Sequence, residues 1–311
     1  MTWLLEPCRY AFFVRALVVA VAVGVACGII GVFVTMRRMS YVGHGLAHAA
    51  FGGAALAYLT QGNFYLGTSG WVVAAMLVIH LVMRQRRIPA DAAIGIVTTA
   101  SFALGVAMLS RVERVTRNLE AALFGQLLGV TSRDVVITVV GVALILAIVA
   151  GQYTALVATT FDRDAAAVLG IRTTRTELLY AALLAAVVIF GMRVIGVTML
   201  AAALVIPAMT ARLLTDRCGT LVVCAPLVGA LGAAIGLYVS YYGNIAAGAA
   251  IVLTQTLGFA AAWGWHLARQ ARRPRGSELP AGPVHEHTHQ HAATAHLHPH
   301  AGDQAAAHHG R

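Results

Sequence analysis

The chain has 311 residues, is 59% hydrophobic and only 11% charged, and carries a formal net charge of +10. Soluble domains use about 25% charged residues, so a chain this apolar lacks the polar surface to cover a water-exposed globule, and a soluble enzyme is excluded. The apolar runs are continuous rather than alternating, which excludes an outer-membrane barrel.

All 22 basic side chains are arginine. A GxxxxGK[ST] phosphate-binding loop and a Schiff-base lysine are therefore impossible. Any ATPase that drives this protein must be another chain.

Nine apolar stretches follow one another, at 12–35, 42–60, 64–83, 93–110, 135–158, 177–193, 195–214, 219–242 and 244–267. Each is near the roughly 20 residues that cross a bilayer as a helix. The fold class is all-α: a polytopic integral membrane protein of about nine transmembrane helices, eight being the alternative because the sixth stretch is short. Residues 1–268 form the transmembrane domain, and 269–311 an Arg-rich, then His-rich, disordered tail.

Arginine placement sets the orientation. Arg37 and Arg38 follow the first stretch, Arg84, Arg86 and Arg87 the third, Arg163, Arg172 and Arg175 the fifth, and Arg212 and Arg217 the seventh; "RQARRPR" at 269–275 follows the last. With nine spans all lie on one side. The positive-inside rule makes that side cytoplasmic, with the N-terminus outside and the C-terminus inside. The basic excess is thus explained by topology, and nucleic acid is not an expected partner. Arg111, Arg114 and Arg117 break the rule, and their segment, with "NLEAALFGQLLG", reads as an amphipathic helix on the membrane. Glycines within spans, as in "GVACGIIGV", point to close helix packing. Pro207 and Pro226 are expected to kink or break their helices. No two of Cys8, Cys27, Cys218 and Cys224 have CxxC spacing, which leaves them as packing residues.

Nine of the 13 histidines lie in the tail: His285, His287, His289, His291, His296, His298, His300, His308 and His309. Neutral imidazole is the commonest ligand for zinc, copper and nickel. Alternating histidines suit a transition-metal ion better than they suit an affinity tag, which would be an uninterrupted run. Within the second stretch, His44 and His48 are four residues apart, on one face of a helix and close enough to share an ion. Ionisable residues in spans are costly and mark pathways. "HGLAH" lacks the Glu of the HExxH metalloprotease motif, so hydrolysis is not expected. His80 and His266 sit near span ends and read as interfacial. In "FDRDAAAVLGIRTTR" at 161–175, Asp162 and Asp164 suit a helix N-terminus and Gly170 its end.

Four segments in this order resemble the permease subunits of the zinc/manganese/iron uptake family of ATP-binding-cassette importers: "RRMSYVGHGLAHAAFGG", "LEAALFGQLLGVTSRDV", "FDRDAAAVLGI" and "VIGVTMLAAALVIPAMTARLL". The resemblance covers about residues 10–268. It implies a permease in a bacterial cell membrane, two copies of which form the pathway. Two copies of a separate ATPase, which bind the ATP, would dock on coupling helices, and an external metal-binding protein would deliver the ion. By the same resemblance, Phe161, Asp162, Asp164 and Gly170 belong to the coupling helix, and His44 and His48 line the pathway. The family usually has Asp where this chain has His44. Two imidazoles lean towards a late metal, which makes zinc the first expectation, with manganese or iron next. No permanently bound cofactor is expected. The alternatives are an ion-gradient-driven metal transporter, which would need titratable residues deep in several spans, and a siderophore-type permease, which would need neither the histidine pair nor the tail.

Overall fold

The computed structural model describes residues 6–37, 40–84, 90–110, 123, 125, 129–272, 285–291 and 294–300. Helices follow the apolar runs because a backbone in lipid must satisfy its own hydrogen bonds. In chain order they are α1 (Ala11–Met36), α2 (Ser40–Leu59), α3 (Phe64–Arg84), α4 (Ala90–Ser110) and α5 (Ser132–Gly151). Two short helices follow, α6 (Tyr153–Phe161) and α7 (Arg163–Val168). The remainder are α8 (Thr173–Ile195), α9 (Val197–Leu214), α10 (Cys218–Gly243) and α11 (Ala247–Arg272). The nine expected spans correspond to α1–α5 and α8–α11. Among the described residues, seven helices are long and apolar enough to cross a membrane; the remaining two apolar segments, Gly45–Leu59 in α2 and Phe64–Ile79 in α3, are shorter.

One feature differs from the sequence expectation. The fifth stretch, expected to be continuous over 135–158, is broken at Gln152, whose φ of -110° and ψ of 15° leave the helical region after Gly151. Glycine weakens a helix interior, and α6 starts afresh after this break. Within the tail, His285–His291 (β1) and Thr294–His300 (β2) pair as antiparallel strands. Its alternating residue pattern has the period of a strand. The helices also run through both Pro207 and Pro226 without ending.

Chain contacts separate Met1–Gly264 from Trp265–Arg311. In the second unit, Arg269 lies over the Trp265 ring at 5.5 Å, and Gln270 is 2.9 Å from His266. In the first, α1 is the central helix, packed against α10, α9, α5 and α8, while α2 packs on α4 and α3 and meets α9 and α8. Lipid offers no hydrophobic drive between helices, so close packing must hold them. α1 and α10 meet almost backbone to backbone. A Cβ on Gly24 would lie 2.5 Å from the Gly229 carbonyl oxygen, and one on Gly28 only 2.4 Å from that of Ala225. One end of this pair is sealed by Phe13, edge-on to Tyr238 and Tyr241 at 5.1 and 5.3 Å.

Candidate pathway and coupling surface

His44 and His48 stand one turn apart on α2. The His44 side chain lies outside the described residues. His48 is half-buried, and its ring meets Phe102 of α4 edge-on at 4.9 Å. The surroundings are built for close approach. A Cβ on Gly45 would sit 3.1 Å from Ile94 and Thr98 of α4. Ser101 donates to the Ala49 carbonyl at 3.1 Å and accepts from the Trp71 indole N–H at 2.6 Å, tying α2, α4 and α3 together beside His48. Among the described residues, no group of three or more His, Cys, Asp or Glu is gathered to hold an ion.

A cavity of about 190 Å³ lies further along α2 and is lined by Ala54 of that helix, Phe64 and Tyr65 of α3, Asp134 and Thr138 of α5 and Arg193 of α8. Ala54 is about 9 Å beyond His48 at the α-helical rise. Arg193 forms an ion pair with Asp134, donates to the Tyr65 hydroxyl at 3.2 Å and lies over the Phe64 ring at 5.0 Å. Asp134 also closes a capping box with Thr131, whose hydroxyl donates to it at 2.7 Å. One oxygen of Asp134 thus caps α5 while the other joins α5 to α8. This carboxylate is committed to Arg193 and Thr131 and is not spare for an ion. Replacing Arg193 with alanine removes a charge-assisted bond linking three helices. We expect the stability of the detergent-purified protein to fall by about 1–3 kcal/mol, read as a lower thermal-unfolding midpoint; an unchanged midpoint would show the tie to be dispensable.

At the opposite end of α1, Asp162 caps α7 by accepting the N–H groups of Asp164 and Ala165, both at 2.9 Å. Gly170, at φ +81°, ends α7: its N–H reaches the Ala167 carbonyl, and the Ile171 N–H reaches that of Ala166. This double bond pattern needs a left-handed residue, which glycine supplies without strain. Asp162 and Gly170 therefore take the N-cap and termination positions expected from sequence. Ala166 is buried, whereas Phe161, Val168 and Leu169 are 67%, 88% and 75% exposed. These three apolar side chains flank a capped helix at the arginine-rich end of the bundle.

Arg37, the C-cap of α1, holds this region in place. Its guanidinium donates to Thr160 and Thr159 of α6, each at 3.0 Å, and stacks over Tyr180 of α8 at 4.3 Å. Burial pulls it below its ordinary pKa while Tyr180 and Glu177 act the other way; it stays a cation at any physiological pH. Arg163 and Glu177, 3.2 Å apart, join α7 to α8 more weakly, since both are partly solvated.

His44 and His48 both lie on α2. The Asp134–Arg193–Tyr65 cluster and the Arg37–Thr159–Thr160 tie were not anticipated. The T-x-x-D capping box at 131–134 is a sequence signal that marks Asp134, as is its place after "LFG" in the segment that carries the resemblance. Of the segment expected to form an amphipathic helix, most lies outside the described residues. Two of its described residues are fixed against the α8–α9 junction. Leu123 accepts from the Thr198 hydroxyl at 2.7 Å, and a Cβ on Gly125, at φ +83°, would lie 2.3 Å from the Val194 carbonyl oxygen. Of the tail histidines, His285, His287, His289 and His291 lie in β1 and His296, His298 and His300 in β2; His308 and His309 lie outside the described residues.

Comparison with known proteins agrees with this architecture. The chain is 37% identical over 251 residues to the "Manganese transport system membrane protein MntC" of Listeria monocytogenes, covering 81% of this chain and 89% of the relative. It is 31% identical to the "Chelated iron transport system membrane protein YfeC" of Yersinia pestis, covering 82% and 87%. The solved structure "PsaBC from Streptococcus pneumoniae in complex with Fab" superposes with a TM-score of 0.78 at 30% identity, over 83% of this chain and 92% of that one. An inward-facing metal-chelate type ABC transporter shares the fold, with a TM-score of 0.66 at 18% identity over 82% of this chain and 85% of that one. The family profile described as "ABC 3 transport family" matches residues 9–264, and the chain belongs to that family.

Proposed function

We propose that this chain is the membrane permease of an ATP-binding-cassette importer that brings a divalent transition metal, manganese foremost, into a bacterial cytoplasm. The carrying observation is the half-buried His48 one turn from His44 on α2, in a helical bundle whose relatives bear the names of manganese and chelated-iron transport proteins. The ion enters from the side of the Arg193 cavity, meets the two imidazoles, and leaves at the arginine-rich end. A second copy of the chain completes the pathway, and an external metal-binding protein supplies the ion. A separate ATPase docks on the apolar side chains around α7, and its cycle reaches α1 and α8 through Arg37. The C-terminus lies on the ATPase side.

Manganese replaces zinc as the first choice because seven relatives carry manganese in their names. Zinc remains the second reading on one observation, the histidine at position 44, since paired imidazoles favour later metals over manganese.

The test is metal uptake into liposomes holding the permease, its ATPase and its binding protein. ATP-dependent manganese uptake is expected, falling about 10- to 100-fold in His44→Ala/His48→Ala with the complex still assembled. Uptake of zinc but not manganese would decide for the second reading. Uptake by the permease alone, without ATP, would overturn the importer assignment.

A further inference from the structure

The family match ends at residue 264, and the histidine-rich segment lies beyond it. Its residues alternate in both strands, HEHTHQH in β1 and TAHLHPH in β2. Alternate residues of a strand share a face. The register pairs His285 with His300, His287 with His298 and His289 with His296, and sets His291 opposite Thr294. Directly opposed residues lie on the same face of an antiparallel pair. Three cross-strand histidine pairs therefore stack along one face of the hairpin. Glu286, Thr288, Gln290, Ala295, Leu297 and Pro299 share the other face. A slip of one residue would send the two sets of histidines to opposite faces, so the observed register is the one that gathers them.

We infer that this hairpin is a binding site for a late divalent transition-metal ion such as zinc, held by histidines of two adjacent cross-strand pairs. Opposed Cα atoms in such a ladder are about 4.5–5.5 Å apart, and the next pair on the same face lies about 6.6 Å further along. Zinc takes four ligands at about 2.0–2.1 Å in a tetrahedron. On this register His287 and His298 stand next to His289 and His296 on one face, and His285 and His300 form the neighbouring pair. An isolated two-stranded hairpin is marginal in water; an ion bridging both strands links metal binding to hairpin formation. The all-imidazole donor set binds manganese weakly, so the inference stands whichever metal crosses the membrane.

The test uses the full-length permease in detergent, with zinc alone as the probe and a chromogenic chelator as competitor. It is compared with a chain ending at Arg275, which retains His44 and His48. The full chain is expected to hold about one zinc ion more than the shortened chain. In His296→Ala/His298→Ala/His300→Ala that extra site should weaken about tenfold or more, although every histidine of β1 remains. Glu286→Ala/Thr288→Ala/Gln290→Ala, on the other face, should leave it unchanged. Equal zinc binding by full and shortened chains would overturn the proposal. So would a β2 triple variant that keeps half the capacity at undiminished affinity, because that is how an unpaired chain behaves.

Discussion

Replacing Gly28 by leucine is expected to leave no assembled permease in the membrane. A Cβ alone at this position would lie 2.4 Å from the Ala225 carbonyl oxygen and 2.6 Å from the Cα of Pro226. Both obstacles are backbone and neither can turn away. Overpacking a well-filled interior usually costs about 1–3 kcal/mol, but here the two helices must separate. α1 loses its partner along the segment where Cys27, Ile30 and Val32 are all fully buried. Pulse-labelled membranes should show the variant degraded, or purified protein should aggregate on size exclusion. Gly70→Leu is the control, because a Cβ there meets nothing within 4 Å. A stably assembled Gly28 variant with normal transport would show that α1 and α10 do not approach this closely.

Val168→Glu/Leu169→Glu is expected to abolish ATP-driven uptake while leaving the permease folded. The two positions are 88% and 75% exposed, and exposed substitutions of this kind usually change stability by no more than about 0.5 kcal/mol. Loss of transport must then come from the surface itself. Two glutamates on an apolar docking surface leave carboxylates without partners in the contact, and truncating such interface anchors commonly costs about 2 kcal/mol or more. The ATPase should no longer copurify with the permease, and uptake should fall about 30-fold or more, the same energy expressed as a rate. Retained copurification with normal uptake would move the docking surface away from α7.

The helical architecture was legible because each span is a continuous apolar run and the interruptions are arginine-rich. Cap residues carried similar weight. Asp162 and Gly170 bracket α7 through short-range hydrogen bonds, which local sequence determines. The Gln152 break escaped notice because apolar residues continue on both sides of it, and backbone geometry rather than composition divides α5 from α6. The Asp134–Arg193–Tyr65 cluster was invisible for a different reason: Arg193 is 59 residues from Asp134 and 128 from Tyr65. Only the packing of α3, α5 and α8 brings them together. The choice of metal lay beyond the sequence as well. A histidine at position 44 argues from ligand softness for zinc, while the relatives are named for manganese, and two imidazoles alone do not separate the two.

The contact between Gly24, Gly28 and α10 also limits how this bundle moves. Where side chains separate two helices, rotamer changes let one slide past the other in small steps. Between backbones there is nothing to rearrange, and a shift along the axis must carry each glycine a full turn, about 5.4 Å, to find the next small residue. α1 and α10 thus act as a single strut with one register. In the importer proposed above, movement is therefore expected where the α2–α4 group rests on α8 and α9, with the α1–α10 pair as the fixed frame.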